Sequence, residues 1–338
     1  MYDCDTVPII PFEHQVGGHK VVLQISKTLI CKPREEYEVK FYKKLPKNLK
    51  DCVPNFKGEI EVQCIQNGAG FQLQAKLPTA LRKEIQQDSF APVNNNSDID
   101  RNGHVTSYDS SMRYDTAETC SSANSQLSDW SRKCLERTMH SYGLWSTDSV
   151  QQFVVLENLL ADHKFPCVLD IKLGRKQRVY DCSEAKRKLL ESRCAHSTSA
   201  SLGFRICGMQ LYQKDTGEYI SQDKYVGRAL DDQGAVQNLK QYFNDGVTVR
   251  TSEIHRMLDK LKHLHKAMSE QHVFHFLSVS LLLIYDSDSE NKVDARLIDF
   301  ANAISRDELP DEDKYEDYNE DLLFGISSII NILHSFLT

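Results

Sequence analysis

The chain has 338 residues, of which 40% are hydrophobic and 26% charged, ordinary globular values in a length sufficient for one large domain or two lobes with their own cores. Its net charge of −7 is uneven, because DELPDEDKYEDYNED at 307–321 holds nine acids and one base and leaves the remainder at about +1. Ten scattered cysteines without a CxxC pair argue against a disulfide framework and a zinc site, and for reduced, buried thiols in the cytoplasm or nucleus.

The N-terminal MYDCDTVPII lacks the basic and apolar regions of a signal peptide. The longest charge-free apolar stretch, HVFHFLSVSLLLIY at 272–285, is too short to span a bilayer. Neither a leader nor a membrane span is expected. Residues 10–87 read as β-rich with at least one helix. VVLQI and TLICK form a hairpin around Ser26-Lys27, REEYEVKFYKKL starts a helix, and GEIEVQCI and GFQLQAKL pair as strands. Residues 88–128, rich in Asn, Ser and Asp, are expected to be a disordered polar insertion. Trp130 marks the return to order, with a helix over SRKCLERTMHSYG. FVVLENL at 153–159 and PCVLDIKLG at 166–174 read as strands, 183–194 as a helix and GFRICGMQLYQ as a strand. In EIHRMLDKLKHLHKAM, residues Ile254, Met257, Leu258, Leu261, Leu264 and Met268 recur at helical spacing. SVSLLLIYD and ARLIDFA form a hairpin across DSDSENKVD, and LLFGISSIINILHSFL is an apolar helix.

Five features carry chemistry. In PCVLDIKLG the period of two puts Asp170 and Lys172 on one face of a strand whose opposite face packs on a core. Such a pair is either a neutralising ion pair or part of a cleft. In LIDFANA, Asp299 follows an apolar strand, a position suited to a hard cation bridging phosphates. Lys32 in LICKP, with Glu38 six residues on, resembles the lysine and helix glutamate with which kinases address ATP phosphates. Gly17-Gly18 either makes a simple turn or lets backbone amides approach a phosphate. Between 170 and 193 eight bases face four acids, which reads as a solvated helix face or an anion site. The histidines, including His263, His265, His272 and His275, read as solvated or satisfied, and no zinc is assigned.

At these residues the chain resembles the inositol polyphosphate kinases. PCVLDIKLG resembles their PxxxDxKxG signature, SVSLLLIYD their SSLL segment and LIDFA their metal-binding IDF segment. PFEHQVGGHK, CKP with FYKKLP, FVVLENL, CAHSTSASLGFRICGMQLYQKDTGEY and DKYVGRAL resemble the inositol hexakisphosphate kinases in particular. Asn302 stands where the family often has His, and His275 and Leu277 where relatives carry Arg and Tyr.

The resemblance implies an α+β, two-lobed, protein-kinase-like (ATP-grasp-like) fold with a β-rich N-lobe and a mixed α/β C-lobe. Residues 1–87 would form the N-lobe with its ATP phosphate contacts, 88–128 the insertion, 129–159 the return to the N-lobe and the hinge, and 160–338 the C-lobe with the substrate and metal site. It implies ATP and Mg2+ as cofactors. Backbone groups of Glu157 and Leu159 would meet adenine, and Lys32, held by Glu38, the ATP phosphates. Asp170 would face the ribose and the substrate side, and Lys172 the transferred phosphoryl group. Asp299 would ligate the metal with Ser280 nearby, and Lys186 and Arg193, seven residues apart on one helix face, would hold the substrate. The implied reaction is phosphoryl transfer to inositol hexakisphosphate. Its rivals are phosphorylation of ring hydroxyls on less phosphorylated inositols, and a catalytically weak ligand-binding or scaffold protein. No nucleic-acid partner is expected.

Overall fold

The computed structural model describes residues 6–67, 70–88, 114–115, 129–143, 149–177, 182–309 and 318–338. Almost all of the polar insertion and the centre of the acidic run lie outside them. The chain forms two compact units. The first comprises Met1–Glu13, Lys20–Pro33 and Lys57–Asn158, and the second His14–His19, Arg34–Phe56 and Leu159–Thr338. Two pieces that the sequence reading placed in the first lobe, residues 14–19 and 34–56, therefore group with the second unit.

The first unit is built on one eight-stranded sheet. Its strands are β1 (Thr6–Pro8), β2 (Ile10–Pro11), β3 (Leu23–Gln24), β4 (Leu29–Pro33), β5 (Phe56–Asn67), β6 (Gly70–Lys76), β7 (Tyr114–Asp115) and β8 (Val150–Glu157). Helix α1 (Glu36–Lys43) falls between β4 and β5 but belongs to the second unit. The spatial order is β1-β6-β5-β8-β4-β3-β2, with β7 on β6. The hairpin of β3 and β4 forms as read, with Gln24 opposite Ile30, and so does the pairing of β5 with β6. Leu29, Cys31, Val62, Cys64, Phe153 and Val155 are fully buried. Helix α2 (Thr79–Asp88) adds Leu81 to this core and helix α3 (Asp129–Ser141) adds Met139. Strand alternation puts Lys32 with Ile30, on the face away from Leu29 and Cys31.

The second unit centres on a five-stranded antiparallel sheet. In chain order its elements are β9 (Pro166–Leu173), α4 (Glu184–Ala195), α5 (Thr198–Leu202), β10 (Phe204–Gln213), β11 (Glu218–Gln222), α6 (Lys224–Ala229), α7 (Asp232–Tyr242), α8 (Thr251–Ser269), β12 (Phe274–Phe276), β13 (Ser280–Asp286), β14 (Ser289–Ile298), β15 (Ala303–Ser305) and α9 (Tyr318–Ser335). The sheet runs β11-β10-β9-β13-β14, and β12 pairs separately with β15. Helix α8 buries Ile254, Met257, Leu258, Leu261, Leu264 and Met268, the face its periodicity picks out. The β13–β14 hairpin also forms, but its turn is short. Buried Asp286 accepts the amide N–H groups of Lys164, Phe165 and Asp288 at 2.8, 3.1 and 3.0 Å. That tight turn lets the polar residues from Ser289 onward continue as an edge strand. Among the described residues no helix is long and apolar enough to cross a membrane.

Candidate active site

Strand β9 is the middle strand of its sheet. Its sequence is apolar because both faces are covered; only Lys172 is part-exposed. Asp170 is 3% exposed, so the face it shares with Lys172 is covered at that residue too. The cause is the 14–19 segment of the same unit. A Cβ on Gly17 would stand 1.6 Å from Asp170 Oδ2, so only glycine lets the segment lie against the carboxylate. The His14 Nδ1 to Gln210 Oε1 hydrogen bond, 2.7 Å, fastens the segment to β10.

Strand register then assembles the site. Lys172 lies opposite Arg205 on β10 and Ser280 on β13, while Asp170 lies opposite Gly208 and Leu282. Ser280 hydrogen-bonds the Asp170 carboxylate, and Lys172 Nζ donates to the Ser278 carbonyl at 3.0 Å. Burial pushes the Asp170 pKa up to about 6, aided by the charge of Asp299 and opposed by Lys172, the Ser280 hydrogen bond and Arg205. Two carboxylates far apart in sequence thus share one neighbourhood, and Asp170 Oδ1 is buried without a hydrogen-bond partner among the described residues.

Asp299, just past β14, has φ +67°, the sole positive φ of a non-glycine residue among those described. Its neighbour explains how this is held. The Phe300 ring stacks on Phe41 at 4.0 Å between centroids, and the Phe300 N–H donates to Glu38 Oε1 at 3.3 Å. Helix α1, with acids in its first turn and bases in its last as its dipole favours, thereby locks the residue after Asp299. Asp299, Asp170 and Ser280 fit a magnesium ion: they are hard oxygen donors, one of them a buried carboxylate oxygen with no hydrogen-bond partner among the described residues, and magnesium is commonly held by one or two carboxylates plus substrate phosphates.

The remaining expected residues are placed as follows. Lys32 lies on β4, in the first unit, and Glu38 on α1, in the second. Glu157 ends β8, opposite Leu29, and Leu159 begins the next stretch of the second unit. Lys186 and Arg193 sit on α4, which Ser183 caps through the Lys186 N–H at 3.3 Å. The basic stretch is partly neutralised: Arg187 and Lys188 pair with Glu184, and Arg175 with Asp321. Lys186 and Arg193 are exposed. His275, a departure from the family pattern, is buried on β12 and receives Arg306 Nε at 3.0 Å; it serves the β12–β15 pair.

A family model described as inositol polyphosphate kinase matches residues 153–334, and mouse inositol hexakisphosphate kinase 3 is 31% identical over 97% of this chain and 94% of its own. The chain belongs to the inositol polyphosphate kinase family. Human inositol hexakisphosphate kinase 1 is 28% identical over 96% of this chain and 92% of its own. Among solved structures, the inositol phosphate multikinase Ipk2 of S. cerevisiae, in complex with ADP and Mn2+, is 28% identical over 56% of this chain and 85% of its own, with a TM-score of 0.49.

Reading this inositol polyphosphate kinase from sequence leaves two cations of the site unassigned, Arg205 and Arg228. Arg205 is 6% exposed, an arginine inside an otherwise apolar strand. That was a usable signal, of the same kind as Asp170 and Lys172 in β9. Arg228 carried none, because its neighbours come from elements far from it in sequence.

Proposed function

We propose that this chain transfers the γ-phosphoryl group of ATP to an inositol polyphosphate, with inositol hexakisphosphate as the acceptor. Support comes from one observation above all: Asp170, Lys172, Ser280 and Asp299 converge within one compact unit, from two strands and the turn after a third. The near-full-length likeness to proteins named inositol hexakisphosphate kinases supports the choice of acceptor.

In this reading an anionic oxygen of an acceptor phosphate attacks the γ-phosphorus. The bond from that phosphorus to the β–γ bridging oxygen breaks, ADP leaves with the electron pair, and a diphosphate forms. No proton need be removed, so positioning and charge neutralisation supply most of the rate. Asp299, with Ser280 and Asp170, would hold magnesium, which would supply charge neutralisation at the phosphate oxygens. Lys172 orients the phosphoryl group in transit, with its ammonium already aimed by the Ser278 carbonyl. Asp170 positions the nucleotide side, and Lys186 and Arg193 hold the acceptor.

A second reading has its own observation. A buried Asp170 with a pKa near 6 is tuned for general-base work, as phosphorylation of a ring hydroxyl requires. One assay separates the two. The purified chain is incubated with magnesium ATP and a panel of inositol phosphates, and products are identified by mass and phosphorus NMR. Diphosphate product from the hexakisphosphate supports the first reading. Conversion of tris- and tetrakisphosphates alone, with new monoesters, supports the second. Binding without turnover defeats both.

A further inference from the structure

Beside Lys172 lies a group of guanidinium side chains that neither signature motif contains. Helix α6 is pinned on β10 by Gly227, whose Cβ would stand 2.3 Å from the Ile206 carbonyl oxygen. Backbone therefore meets backbone there, within one residue of Arg205 on one side and Arg228 on the other. Asp223 caps the helix by accepting the Tyr225 and Val226 N–H groups at 2.9 and 3.3 Å. This fixes the start of a helix too short to be placed by its own stability.

Arg205 is aimed by neutral partners. Its guanidinium donates to Ser199 Oγ at 3.2 Å and to Gln177 Oε1 at 2.6 Å. It makes no ion pair among the described residues, and the acid that its charge acts on is the buried Asp170. Arg228 is half-buried, and its Nε is fully buried without a hydrogen-bond partner among the described residues. Burial and the charges of Arg205 and Arg193 all disfavour its protonated form, and the groups that favour it are Cys207 and Tyr225 rather than a carboxylate. Among the described residues Arg193 of α4, Arg205 of β10 and Arg228 of α6 form no salt bridge, the first two oppose the charge of the third, and Arg205 lies opposite Lys172 in the strand register. Holding like charges together costs free energy, and a polyanionic ligand is what reverses that cost.

We infer that Arg228, with Arg205 and Arg193, forms a second anion subsite that takes a phosphate group of the acceptor not undergoing reaction, favouring densely phosphorylated inositols. This inference rests on the proposed function. The chemistry required is a tetrahedral dianion offering several oxygens to planar donor forks, beside the phosphate addressed by Lys172.

The test uses the full chain as wild type, Arg228→Gln and Arg228→Lys. Binding of inositol hexakisphosphate is measured by calorimetry without nucleotide, and KM for ATP by kinetics. Arg228→Gln is expected to weaken hexakisphosphate binding roughly 10- to 100-fold, to leave KM for ATP unchanged and to keep the thermal midpoint. Arg228→Lys is expected to recover part of the loss, which also guards against a folding defect. Equal binding by wild type and Arg228→Gln overturns the subsite while leaving the kinase reading intact. Lost binding in the variant of a chain that binds but never turns over hexakisphosphate overturns the kinase reading and keeps the subsite. A wild type that binds no inositol phosphate overturns both.

Discussion

Asp170 is held in a state that its own fold resists. Its pKa of about 6 stands above the 3.8 of a free aspartate side chain, so the folded chain takes up the proton more readily than the unfolded one. The carboxylate therefore destabilises the fold fully above pH 6, by roughly 3 kcal/mol, and the penalty fades as pH falls from 6 toward 4. Asp170→Asn is expected to abolish turnover yet raise the thermal midpoint of the metal-free protein at pH 8, with the gain vanishing near pH 4; a variant that is both active and unshifted contradicts the placement. Lys172→Ala is expected to lower kcat by roughly 10²-fold or more with ATP affinity little changed; unchanged kcat removes Lys172 from the mechanism. At Asp299 charge and backbone are separable. Asn tolerates positive φ and Ala does not. Both substitutions are expected to lose activity, but Asp299→Ala also loses about 1 kcal/mol of stability relative to Asp299→Asn, measured by denaturant titration.

At the scale of elements, the site depends on segments that come from afar. The 14–19 segment lies on β9 because Gly17 leaves room for the Asp170 carboxylate. Gly17→Ala is expected to displace that carboxylate and reduce kcat by an order of magnitude or more, while ring contacts and strands remoter from it keep the fold assembled. Wild-type kcat in this variant would show that the segment does not position Asp170. Much of this scale was legible beforehand. The period of two in PCVLDIKLG puts Asp170 with Lys172, and the period of 3.6 in 253–268 picks out the face that α8 buries. Helix α6 and strand β11 were not legible: one is a single capped helical stretch, the other a mostly exposed edge, and neither has a hydrophobic period to read.

For the molecule as a whole, the family and the broad α+β character were readable because collinear motifs span most of the chain. The grouping of 14–19 and 34–56 with the second unit was not, since it depends on contacts such as Phe41 on Phe300 and Glu38 on the Phe300 N–H, separated by 262 positions for the latter. Arg228 was missed for the same reason, as the Gly227–Ile206 backbone contact that sets α6 on β10 leaves no periodic trace, whereas Arg205 stood out within its strand. The central claim is that a phosphate, already anionic, accepts the phosphoryl group at a centre organised by Lys172. Its most direct test is transfer of γ-labelled ATP to inositol hexakisphosphate by wild type and Lys172→Ala, with the product read by phosphorus NMR. The account predicts a labelled diphosphate from the wild type and almost none from the variant; no transfer by the wild type, or label found only as a new ring monoester, would contradict it.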